Sequence, residues 1–197
     1  VLVSGNRLLV YRSERRELLE PSLDGFELPS ETTVVALAGS SKRADQFWLA
    51  LHESTRGSRI LDVKLTGDDR CVATEVTSPA LAADIVSNLA CSVERLWVST
   101  ANGRLYEHNG RGWSLWLDGE TGLDLSRIRH VMVTDGHHPA LWMTERTSDG
   151  AIGAVRMRML PQQGVLPTGP WRRCDLLAGV TVPDRGLMRG SDLQLTA

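Results

Sequence analysis

The chain has 197 residues, enough for one substantial core, and length alone leaves one or two domains open. A formal net charge of -2 and a pI near 6.2 give no electrostatic case for nucleic acid, which would need a basic face. No run approaches the roughly 18 apolar residues of a spanning helix, so membrane insertion is not expected.

The chain opens Val1-Leu2-Val3-Ser4-Gly5, without Met and without a basic stretch leading into an apolar one. This is no signal peptide, and a start inside a strand fits a piece of something longer. Leu8 to Tyr11 and Glu17 to Glu20 read as further strands. Pro21 to Glu31 reads as a loop, and Thr33 to Ala38 as an apolar inner strand. Next come Trp48 to His52, an alternating strand Ile60 to Leu65, a Gly67-Asp68-Asp69 turn and Cys71 to Val76. Ser78-Pro79 opens a loop in which Leu81 to Ile85 makes no more than a turn, since Pro79 precedes it and β-branched residues follow. Ile85 to Cys91 is the next inner strand.

The clearest stretch is Leu96 to Asp135. Leu96 to Thr100, Arg104 to His108 and Trp113 to Leu117 are strands joined at Asn102-Gly103 and Asn109-Gly110. Asn-Gly suits two-residue type I′ hairpins, in which both central residues take positive φ. A polar loop then leads to the inner strand Ile128 to Val133. Beyond it lie Leu141 to Glu145, Ala151 to Met157, a Gly/Pro loop at Pro161 to Pro170, an outer strand at Trp171 to Leu176 and an inner strand around Leu177 to Val182. Leu187 to Thr196 resembles the start of the chain.

These strands repeat. The second residues of Val1-Leu2-Val3, Phe47-Trp48-Leu49, Leu96-Trp97-Val98, Leu141-Trp142-Met143 and Gly186-Leu187-Met188 fall at 2, 48, 97, 142 and 187. The separations of 46, 49, 45 and 45 match a four-stranded propeller blade. The expected fold is therefore all-β: a β-propeller of about four blades of four antiparallel strands, with residues 1–197 forming one domain or part of one. The intervals are approximately 1–46, 47–95, 96–140 and 141–185, with 186–197 starting a fifth. Chain ends that fall inside a blade leave unpaired edges in an isolated arc. This favours a segment of a six- to eight-bladed ring over a four-bladed ring closed by the termini.

Leu-Trp-Val-Ser-Thr, Asn-Gly-Arg-Leu-Tyr, the aromatic strand at Trp113, the Gly122-Leu123 loop, Ile128 to Asp135 and Leu141-Trp142 together resemble the propeller repeats in sensor domains of bacterial two-component regulators. The likeness is good over that one repeat and partial over the others. Intervals two and four lack the Asn-Gly-x-Leu-Tyr segment. The resemblance implies a sensing or docking part of a larger regulatory protein, in the periplasm. The cysteines point instead to a reducing compartment: Cys71, Cys91 and Cys174 are odd in number, lack ligand spacing and read as buried free thiols.

Loops feeding the inner strands form the usual ligand-facing end of a propeller. Here they carry Asp118, Glu120, Asp124 and Arg127, with Arg129 at the start of the inner strand. Mixed carboxylates and arginine suit a protein partner or a small polar ligand. They equally suit plain solvated loops. His130 is the one candidate acid/base group; alternation places Ile128, His130 and Met132 on one face and Arg129, Val131 and Val133 on the other. A lyase-like propeller enzyme is thus one alternative, and a structural scaffold segment another. His137-His138 beside Asp135 lack a third ligand, so no metal is expected there. No phosphate-cradling glycine loop or nucleophile elbow occurs, and no cofactor is indicated. Of the six tryptophans, Trp48, Trp97 and Trp142 occupy the repeated strand position and are expected in the core. Trp113 and Trp116, three apart in a strand, are expected on opposite faces.

Overall fold

The computed structural model describes residues 2–4, 7–12, 15–24, 31–40, 43–66, 70–92, 95–116, 127–134, 140–146, 152–159 and 172–174. The inner strand expected near 177–182 and the repeat at 187–196 lie outside the described residues. Four sheets form. The first holds β1 (Leu2–Ser4), β2 (Arg7–Arg12) and β3 (Glu17–Leu19). The second holds β5 (Thr32–Ser40), β6 (Arg43–Glu53), β7 (Gly57–Leu65) and β8 (Arg70–Glu75), with β4 (Ser22–Asp24) added at its outer edge. After a short helix, α1 (Pro79–Ala82), the third holds β9 (Val86–Cys91), β10 (Leu96–Thr100), β11 (Leu105–His108) and β12 (Trp113–Trp116). The fourth holds β13 (Ile128–Thr134), β14 (Ala140–Arg146), β15 (Ile152–Met159) and β16 (Arg172–Cys174).

Each of the last three sheets is an antiparallel meander that starts with an inner strand, and β9 lies against both β5 and β13. Neighbouring sheets bury apolar faces against each other. Leu8 packs with Phe47, Leu49 and Leu61 between the first and second sheets. Ile60, Leu81, Val98 and Tyr106 join the second to the third. Trp97, Leu105, Leu141 and Met143 join the third to the fourth. Sheets stacked face to face around adjacent inner strands make the molecule a partial β-propeller with the expected blades.

β10 shows why the Leu-Trp-Val strand repeats. All five of its residues are buried, because a middle strand of a blade is covered on both faces. Val98 faces the second blade and Trp97 the fourth. Trp48 and Trp142, at the same position, are only half-buried, and Trp142 Nε1 donates to Thr134 Oγ1 at 3.1 Å. The expected burial of Cys71 and Cys91 is found.

Three details depart from the sequence expectations. Ser22–Asp24, expected as loop, runs parallel to β8 as a fifth strand, with Leu23 opposite Cys71. The Asn-Gly turns are not type I′. Gly103 and Gly110 alone take positive φ (76° and 81°), while Asn102 and Asn109 do not. Thr100 N–H bonds to Arg104 O and Gly103 N–H to Thr100 O, closing a three-residue loop that needs one left-handed residue. Asn109 instead serves the second turn with its side chain, Oδ1 accepting from the N–H groups of Arg111 and Gly112.

The third departure recurs in every described inner strand. Val35 in β5, Ser87 in β9 and Arg129 in β13 are each an extra residue opposite the neighbouring strand. Such a bulge shifts the side-chain alternation by one residue. Ile128 therefore packs in the same cluster as Val131 and Val133, not with His130 and Met132 as strict alternation requires.

Candidate functional site

Strand direction gathers three segments at one end of the second and third blades: the β6–β7 turn, the connection from β8 through α1 to β9, and the β10–β11 turn. α1 is a single turn, as its sequence implies. Ser78 caps it, its Oγ accepting from Leu81 N–H at 3.2 Å, and Pro79 occupies the first turn, where its missing N–H costs nothing. Leu81 is fully buried and fixes the turn on the core.

Asp84 follows. It is 3 % exposed, and a buried carboxylate needs donors to offset its lost hydration. It has three. Tyr106 OH donates to Oδ2 at 2.8 Å, Asn102 Nδ2 to Oδ1 at 3.1 Å, and the Arg104 guanidinium reaches both oxygens at 3.2 and 3.3 Å. Burial and the bond to Asp84 raise the Tyr106 phenol above its ordinary range. Arg104 is likewise raised, first by the Tyr106 hydroxyl and then by Asp84. Residues 102, 104 and 106 are spaced two apart, so one side of the hairpin converges on Asp84.

Further bonds lock the same end. Val86 N–H donates to the buried Ser58 Oγ at 3.0 Å, and Ala101 N–H to Ile85 O at 2.7 Å. Gly57, at φ 77°, faces Ala82 O so closely that an added Cβ would lie 2.1 Å from it. Beside it, Arg59 bridges Glu53 at 2.7 Å and Glu75 at 2.6 Å. The bond from Arg59 holds the Glu75 carboxyl below the usual carboxylate range. Ile85 is left 49 % exposed, and the side chains of Arg104 and Arg56 are 53 % and 70 % exposed. This end thus presents an apolar residue and two guanidinium groups on a fixed frame.

Of the residues singled out in the sequence, Asp118, Glu120 and Asp124 lie outside the described residues. Their segment joins β12 to β13, the counterpart one blade on of the connection that carries Asp84. Arg127 is exposed at the entrance to β13. Arg129 is the bulge residue of that strand, and His130, half-buried, pairs with Thr144 of β14. His137 and His138 are also outside the described residues; among the described ones no group of three His, Cys, Asp or Glu is placed to hold a metal ion. Also among the described residues, no helix is long and apolar enough to cross a membrane.

Trp113 and Trp116 do face opposite ways: Trp113 packs on the core shared with the second blade and Trp116 on that shared with the fourth. Both are half-buried with satisfied indoles, Trp113 donating to Val76 O at 2.6 Å and Trp116 to Glu107 Oε2 at 2.8 Å. The Asp84 cluster escaped the sequence reading. Its only local signal is the alternation Asn102, Arg104, Tyr106.

No family model matches the chain, and no curated protein matches it. Among solved structures it is similar to YCF48 from Cyanidioschyzon merolae, with 17% identity and a TM-score of 0.45 over 75% of this chain and 38% of that one. It is also similar to a YCF48 structure bound to D1 peptide, with 14% identity and a TM-score of 0.46 over 78% of this chain and 45% of that one. The chain thus spans less than half the length of either.

Proposed function

We propose that this chain is a non-enzymatic binding module that takes a protein segment on the end of the propeller built around Asp84. One observation carries the reading. Asp84 spends its oxygens on Tyr106, Asn102 and Arg104, so the carboxylate serves as a rivet, while Ile85 and Arg56 are exposed and the rest of the Arg104 side chain is half-exposed. A rigid frame with outward apolar and cationic side chains lowers the ordering cost of binding. The segment holding Asp118, Glu120, Asp124, Arg127 and Arg129 extends this surface to the next blade in the proposal. A sensing or docking part of a larger regulatory protein, with further blades or domains, is the setting that the Leu96–Trp142 resemblance supports.

Selection of peptides from a display library on the 197-residue chain tests the reading. Recovered peptides should bind wild type and lose at least about tenfold in affinity, or about 1.4 kcal/mol, with Ile85→Asp. Arg111→Glu, in the turn at the opposite end of the third blade, should leave binding unchanged. Binders indifferent to Ile85→Asp and sensitive to Arg111→Glu would move the site to the other end.

A further inference from the structure

β11 ends on His108, whose ring sits between two indoles from different blades. Trp113 of the adjacent strand lies 4.9 Å away, centroid to centroid, at 49°. Trp48 of the second blade meets the ring edge-on at 6.1 Å and 61°. Trp113 is itself tied across the joint through Val76 O. Val76 runs directly into Thr77, Ser78 and α1, so the joint that holds His108 also carries the segment leading to Asp84.

The hydrogen bonding specifies a neutral ring. Nδ1 accepts from Gly110 N–H in a long bond of 3.4 Å, so this nitrogen bears no proton and the neutral imidazole carries its proton on Nε2. A second proton must go to Nδ1, where it would turn an acceptor into a donor facing a donor. Asp62 on β7 of the second blade is the charge that favours protonation, and Gln46 Nε2 holds its Oδ1 at 2.7 Å. Burial opposes protonation and is the larger effect, so His108 sits below its ordinary value. The neighbouring elements carry further charged groups, among them Arg70, exposed at the start of β8. Lys64, two residues along β7 from Asp62, is exposed, as is Arg111 in the turn. Glu107 projects to the other face of β11, where Arg95 and Trp116 bond it. The strand partners of His108 are uncharged: Leu96 on β10 and Trp113 on β12. On β8, Val72 and Thr74, opposite Lys64 and Asp62, are uncharged too.

We propose that the joint between the second and third blades is acid-sensitive and keyed by His108: the neutral ring closes it, and protonation releases the Gly110 bond and loosens the Trp48–His108–Trp113 stack together with the segment from Val76 to Asp84. The sign follows from linkage. A histidine whose value is lowered in the folded chain stabilises it fully above the unfolded value of about 6.5, and that contribution is lost as pH falls through the folded value.

The test follows the His108 ring resonance of the 197-residue chain by NMR from pH 8 to pH 4.5, with urea midpoints of wild type and His108→Gln over the same range. The resonance should titrate below about 6.5, the indole fluorescence of the folded chain should change in the same window, and His108→Gln should reduce the acid loss of stability about twofold or more. Titration of His108 at or above 6.5, or a variant that loses stability as steeply as wild type, would overturn the proposal. Should His108→Gln not fold, the wild-type resonance alone decides.

Discussion

The two joints of the third blade bury opposite faces of the same strand, β10, and are built differently. Towards the fourth blade the joint is an apolar block centred on the fully buried Trp97, packed with Leu105, Ile128, Val131, Leu141 and Met143. Among the described residues, Asn88 Oδ1 also bonds across it, accepting from Val131 N–H at 3.0 Å. Towards the second blade the apolar cluster mixes small residues such as Ala38, Ala50, Val86 and Val98 with Ile60, Leu81, Leu89 and Tyr106, and the joint is also pinned by directed bonds: Ser58 to Val86, Val76 to Trp113, and Asp84 to the β10–β11 hairpin. Dispersion and burial tolerate a shift of a few tenths of an ångström, whereas directed bonds set a position. The polar joint is the one that positions the proposed binding surface.

The largest effect should come from emptying the apolar joint. Trp97→Ala removes a fully buried indole and should cost about 3–5 kcal/mol, read from urea unfolding, with little change at Asp84. A loss under about 1 kcal/mol would mean that the two blades do not depend on this packing.

Gly57→Ala attacks the polar joint at its tightest approach. A left-handed φ costs a non-glycine residue about 1–3 kcal/mol, and the new Cβ would also drive against Ala82 O, so α1 must move. Stability should fall by about 3 kcal/mol. Unlike Trp97→Ala, the change should also weaken peptide binding at the Asp84 end, because it displaces the frame. Equal peptide affinity in the two variants would erase the distinction between the joints.

How far these joints could be read in advance differs in the same way. The repeat of Trp48, Trp97 and Trp142 was legible because strand patterning is local and a blade needs the same packing each time. The bulges at Val35, Ser87 and Arg129 were not, since an extra residue is defined against the partner strand and leaves no mark in a single strand's own pattern. The turn glycines were legible; the turn type was not, because one positive φ or two depends on which residues close the ladder. Asp84 and Tyr106 lie 22 residues apart, and nothing in the Leu81–Ile85 stretch distinguishes a buried carboxylate from a solvated one. The Asp118–Arg127 loop drew notice for its density of charge. Its counterpart one blade earlier carries a single aspartate and holds the frame.

Smaller effects separate the bonds within the polar joint. Asp84→Ala leaves the buried Tyr106 hydroxyl without its acceptor and should cost about 1–3 kcal/mol. Tyr106→Phe removes one donor while Asn102 and Arg104 remain, and should cost about 1 kcal/mol. The double variant should fall well short of the sum, since both changes break the same bond. Strict additivity would show that Tyr106 and Asp84 act independently.

The smallest expected signal is the alkaline one that Tyr106 contributes, read against Tyr106→Phe so that the buried Cys71 thiol, also raised, cancels. Burial and Asp84 both favour its neutral phenol, so its folded value lies above the ordinary 10.0. The unfolded chain then loses this proton first as pH rises. The stability that Tyr106 contributes is complete below the unfolded value and is lost as pH climbs through the folded one. Ultraviolet titration should show Tyr106 ionising above the ordinary range of a phenol and returning to that range when urea unfolds the chain. The stability gap between wild type and Tyr106→Phe, about 1 kcal/mol near neutrality, should close across that window. A gap that persists unchanged at high pH would mean that the stability lost in Tyr106→Phe does not come from a neutral phenol donating to Asp84.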